Sequence, residues 1–127
     1  MRYEFKARQC RSWLDPKWGK VFARELGEAL VTRCQGESGV FLTLTYRRED
    51  YEDARDLYHR AKEERHVRRF IARLAKNLGT SLSGRWLCKL EFQRGGWVHW
   101  HLVVLGVGRI EHELLERTWG HGFVWIK

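Results

Sequence analysis

Glu91, His99 and His101 are the residues whose types and spacing suggest chemistry. They lie in LCKLEFQRGGWVHWHLVVL, Leu87 to Leu105, where one acid and two histidines interrupt otherwise apolar runs. Ionisable groups cost free energy in a core unless something pairs with them. These three are therefore either solvated on an open face or gathered around a shared partner such as a metal ion. Two imidazole nitrogens and a carboxylate can hold a divalent cation and leave positions free for water or a substrate oxygen. The plainer alternative is a pair of surface histidines beside a sheet-face glutamate.

Two strands and a turn must position the set. In Trp86–Gln93, side-chain alternation puts Trp86, Cys88, Leu90 and Phe92 on one side and Leu87, Lys89, Glu91 and Gln93 on the other. In Trp97–Leu105, Val98, Trp100, Leu102 and Val104 form the apolar side, opposite Trp97, His99, His101 and Val103. A three-residue loop at Arg94-Gly95-Gly96 pairs Gln93 with Trp97 and sets Glu91 across from His99. His101 is then the next residue on the same face. A slip of one residue would send Glu91 to the other side.

The remaining chain supplies the frame. Asp15-Pro16 marks a helix start, and apolar residues at helical spacing run from Trp18 to Val31. A break at Cys34–Gly39 precedes the strand Val40–Tyr46, with Leu42 and Leu44 on one side and Thr43 and Thr45 on the other. Glu49 to about Asn77 is helical, with a bend at Lys62–Arg65. Its second half carries the stripe Val67, Phe70, Ile71 and Leu74. Gly79–Gly84 reads as loop, Arg109–Thr118 as a helix stopped at Gly120, and Gly122–Lys127 as a last strand. The expected fold is α+β: a central antiparallel sheet with helices packed on one face and the metal site on the open face. Residues 1–127 are read as one domain, with 1–39 an N-terminal helical segment and 40–127 the motif-bearing core.

Composition narrows the classes. Apolar residues make up 43% and aromatics 13% of 127 residues, enough to fold rather than stay disordered. Cys10, Cys34 and Cys88 are odd in number and far apart, with no CxxC pair, which argues against a disulfide framework or a four-cysteine zinc site. The N-terminus lacks a signal-type apolar stretch and no run is long enough to span a bilayer, so a cytoplasmic protein with no membrane partner is expected. Lys and Arg number 24 against 16 Asp and Glu, a net charge of +8, densest in Arg60–Lys76. That balance favours a polyanion as partner.

Three segments resemble the nuclease domain of rolling-circle replication initiators, the HUH endonucleases. They are FLTLTY at Phe41–Tyr46, LEFQRGGWVHWHLVVLG at Leu90–Gly106 and RTWGHGFVWI at Arg117–Ile126. His99-Trp100-His101 would be the histidine–hydrophobe–histidine triplet. The resemblance implies that Glu91 joins the two histidines around Mg²⁺ or Mn²⁺. It implies nicking and joining of single-stranded or hairpin DNA in plasmid or phage replication, with host replication proteins as further partners. It also implies a tyrosine nucleophile on a helix after the last strand. This sequence shows no tyrosine there, so a domain cut before that helix is expected. Tyr46 and Tyr58 remain as candidates, although both share parity or spacing with packing residues, and Tyr3 lies in an unassigned tail.

Candidate DNA contacts are Thr43 and Thr45 on the metal side, Arg47 and Arg48 at the strand end, Lys89 beside Glu91, Arg94 on the loop, and Trp97 as a base-stacking ring. His59, His66, His112 and His121 are read as solvated. Three other functions stay open. One is a nuclease using metal-activated water, another a noncatalytic DNA-binding module on the same fold. The third is a zinc-stabilised interaction domain, against which the parity of Cys88 argues.

Overall fold

The computed structural model describes residues 39–126. The helix expected between Asp15 and Val31, Tyr3, Cys10, Cys34 and Lys127 lie outside the described residues. Four strands form one sheet: β1 (Gly39–Leu44), β2 (Trp86–Phe92), β3 (Val98–Leu105) and β4 (Val124–Ile126). Three helices accompany them: α1 (Ala54–Glu63), α2 (His66–Leu78) and α3 (His112–Trp119). The strand order is β2-β3-β1-β4, and every described pairing is antiparallel.

Alternation along the strands divides the sheet into two faces. Leu42, Leu44, Val98, Leu102, Val104 and Val124 are buried on one of them. The α2 stripe of Val67, Phe70, Ile71 and Leu74 covers this face together with Leu115 and Trp119 of α3. Leu57 and Ala61 of α1 pack on Val98 in a smaller cluster. All three described helices thus lie on one side, which is the expected α+β arrangement.

The bend expected at Lys62–Arg65 is real and local. Arg65 adopts φ 53° and ψ 50°, a left-handed conformation that ends α1 and starts α2. The helix expected from Glu49 begins later, because a single 3₁₀ turn at Arg48–Asp50 intervenes and Asp53 caps α1 through the Asp56 amide at 2.8 Å. The helix expected from Arg109 likewise starts at His112.

The turn that aligns β2 and β3 is the expected one. Gly95 and Gly96 hold φ of 84° and 87°, conformations that any Cβ would disfavour. The Gln93 amide donates to Trp97 O at 2.6 Å and the Gly96 amide to Gln93 O at 2.9 Å. Glu91 faces His99 across the ladder, and Lys89 faces His101.

Candidate functional site

The open face of the sheet has a readable register. Lys89, His101, Thr43 and Trp125 form one cross-strand row from β2 to β4. Glu91 and His99 begin the next row. Expected parity therefore holds for Thr43, Lys89, Glu91, His99 and His101.

His101 is held at both nitrogens. Its Nε2 lies 2.9 Å from Glu91 Oε1 and its Nδ1 lies 3.2 Å from Thr43 Oγ1. A neutral imidazole carries one proton, so the two contacts must have opposite polarity. With the proton on Nε2, the ring donates to Glu91 and accepts from Thr43. With the proton on Nδ1, the ring donates to Thr43 and frees an Nε2 lone pair. A threonine hydroxyl serves both tautomers, because it donates and accepts.

His99 has a different environment. Partial burial holds its imidazole below the ordinary histidine value; Glu91 opposes this, while His101 and Arg48 reinforce it. A neutral His99 keeps a lone pair available to an electrophile. Among the described residues, no three His, Cys, Asp or Glu side chains close on a single point as a metal cage. The donor chemistry nevertheless fits a hard or borderline divalent ion. Two ligands held at right angles about 2.1 Å from an ion stand about 3.0 Å apart. The Glu91–His101 separation of 2.9 Å matches that spacing.

Other expected contacts fall elsewhere. Thr45 is buried, and its hydroxyl donates to Phe123 O at 2.8 Å and accepts from Phe123 N at 3.0 Å. It joins β1 to the approach of β4, so the expectation that it stands beside Thr43 as a DNA contact is corrected. Gly122 is needed at this junction, since a Cβ there would meet Thr45 O at 2.5 Å. Trp97 does not lie open beside the histidines. It packs on the Leu57, Ala61 and Val98 cluster, with the Arg48 guanidinium 4.9 Å from its ring centroid. Arg47 is exposed but engaged, bonding Asp50 at 3.1 Å and Gly120 O at 2.9 Å. Arg48 reaches Gln93 Oε1 at 3.5 Å, and Arg94 is exposed on the loop. Lys89 is half-buried directly across from His101.

Both candidate tyrosines face the helices. The Tyr46 hydroxyl accepts from Trp100 Nε1 at 2.8 Å and meets His66 Nδ1 at 3.1 Å. Burial pushes this phenol far above its ordinary value, with the Trp100 bond opposing. Tyr58 packs near Phe92, 5.5 Å between ring centroids, on that same side. Cys88 also points there, and burial raises its thiol to about 12, which disfavours the thiolate a zinc ion would need.

His66 and His121 correct the reading of solvated histidines. His66 is 2% exposed, with Nε2 at 2.8 Å from Glu64 Oε1, and it stacks on His121 at 3.9 Å between ring centroids. The sequence held a signal for this. His66, Phe70 and Leu74 recur at four-residue spacing, so His66 belongs to the buried α2 stripe. The His112 ring, read as solvated, reaches Val124 O through Nε2 at 2.6 Å.

A family model for the replication-associated protein ORF2 matches residues 39–127, from the first residue of β1 onward. The chain belongs to this replication-associated protein family. No curated protein and no solved structure matches it. The family match includes all four strands and every residue of the open face. It supports a role in replication initiation, with DNA as the partner. Among the described residues no helix is long and apolar enough to cross a membrane.

Proposed function

We propose that this replication-associated family member nicks single-stranded DNA in rolling-circle replication, on the open face of its sheet. The observation that carries the reading is His101 held between Glu91 and Thr43, with His99 across from Glu91. Glu91, His99 and His101 would hold Mg²⁺ or Mn²⁺. His99 would join the other two by a side-chain rotation, with the strand register unchanged. The ion would supply Lewis acidity toward a phosphodiester oxygen. Thr43 orients His101 by bonding its far nitrogen, and Arg48 and Arg94 add positive charge at the turn end of the face.

The attacking oxygen belongs to neither Tyr46 nor Tyr58, since both lie across the sheet from Glu91. Water, or a tyrosine outside the described residues, serves instead. The same observation favours a second reading, in which the domain binds DNA without cutting it.

The test is incubation with end-labelled single-stranded oligonucleotides, including a randomised hairpin pool, in Mn²⁺, Mg²⁺ or chelator. Metal-dependent cleavage that disappears in His99→Ala and His101→Ala is expected. Cleavage that survives chelator, or survives in both variants, would refute the assignment. Binding with no cleavage in any metal would establish the second reading.

A further inference from the structure

The open face carries large apolar side chains that the site above does not use. Phe41 is 56% exposed, Phe123 66% and Trp125 65%, whereas Val124 between the last two is 1% exposed. That alternation puts Phe123 and Trp125 on one side of the β4 segment. The Thr43↔Trp125 pairing makes that side the open face, since Thr43 pairs with His101. Phe41 precedes Thr43 by two residues on β1, so it is a diagonal neighbour of Trp125 on the same face.

An aromatic ring left this open in water is unusual without a partner, and three on one face make a platform. The row through His101, Thr43 and Trp125 crosses two strand spacings, roughly 10 Å. That is the scale separating a phosphate from the base it carries. Phe123 and Trp125 are about 6.6 Å apart along the chain, enough for each ring to take its own base. The rings adjoin the proposed phosphodiester site, and the chain carries a net charge of +8. Both features favour a nucleic-acid occupant over a neutral protein surface.

We propose that Trp125, flanked by Phe41 and Phe123, stacks on unpaired bases of a single DNA strand whose backbone crosses His101. This rests on the nicking reading above and adds where the bases go. Stacking needs no particular base, since every base offers a π-face. The platform therefore selects unpaired over paired DNA and leaves sequence choice to other groups.

The test measures anisotropy of a labelled oligothymidylate, an abasic strand of equal length and a duplex, at one fixed salt concentration. The wild type, Trp125→Ala, Trp125→Phe and Phe41→Ala are compared. Trp125→Ala is expected to weaken oligothymidylate binding about five- to a hundredfold and leave abasic binding unchanged. Trp125→Phe is expected to restore most of the loss. Equal affinity of Trp125→Ala and wild type for oligothymidylate overturns the platform. So does an equal loss on the abasic strand, which would mean a backbone or folding effect. Concentration-dependent self-association that Trp125→Ala abolishes, without any change in DNA binding, assigns the face to a second copy of the chain and also overturns it. Metal-dependent nicking by the wild type separates the two claims. If nicking stands while Trp125→Ala binds normally, only the platform falls. If the wild type neither binds nor nicks, the nicking reading falls and takes the platform with it.

Discussion

Thr43→Val removes one oxygen from the candidate site and keeps the β-branched shape that β1 needs. Thr43 Oγ1 lies 3.2 Å from His101 Nδ1, and the His101 side chain is 40% exposed. Water can replace the lost partner, so the stability cost is at the low end for a hydrogen bond, about 0.5 kcal/mol. The functional cost is larger. Without the hydroxyl, no protein group holds the ring at Nδ1 or favours the Nδ1 proton that frees Nε2. Loss of such an outer partner weakens metal binding about 10- to 100-fold, or about 1.4–2.8 kcal/mol. Calorimetric titration with Mn²⁺ reads the affinity, and nitrogen chemical shifts of the His101 ring read the tautomer. Thr43→Ser is expected to recover most of the affinity. Unchanged Mn²⁺ affinity in Thr43→Val would refute the argument, and so would an affinity loss that Thr43→Ser fails to recover.

Three further outcomes follow from the surrounding structure. Tyr46→Phe leaves Trp100 Nε1 and His66 without a shared oxygen, costing about 1–3 kcal/mol in a denaturant melt, yet nicking per folded molecule should persist. Nicking that vanishes in folded Tyr46→Phe would make Tyr46 the nucleophile. Arg65→Gly relieves the left-handed backbone at φ 53° and is expected to stabilise by up to about 1 kcal/mol, whereas Arg65→Val should destabilise. Equal melting of all three proteins would show that the conformation is not strained. Burial, then the neighbouring His66 and Arg73, lower His121 to about 4. The unfolded chain then binds more protons, so stability falls as pH drops from about 6.5 toward about 4. Glu64, lowered mainly by its His66 bond, adds the same trend at the acid end. His121→Asn should flatten the melting-temperature profile above pH 4.5, and an unchanged slope would contradict this origin.

Much of the site's frame was legible because it depends on local rules. Gly95 and Gly96 dictate the turn, the turn dictates the register, and the register puts Glu91 opposite His99. The α2 stripe was equally plain, being four apolar residues at helical spacing. What could not be read depends on partners distant in sequence. Thr45 follows the end of β1, and its hydroxyl partner Phe123 is 78 residues away. Trp97 obeys strand parity in sequence, but Arg48 and the α1 cluster draw it from the histidines. The exposure of Phe41 and Trp125 also escaped the sequence, since apolar residues in strands ordinarily signal a buried side. Only the order β2-β3-β1-β4, with every described helix on one face, reveals that theirs is open.

The most direct measurement is paramagnetic broadening of histidine ring signals by substoichiometric Mn²⁺. The account predicts that His99 and His101 broaden first and together, and that Glu91→Gln shifts the effect to higher Mn²⁺. Broadening centred on His66 and His121, or none at millimolar Mn²⁺, would contradict a cation held on the open face.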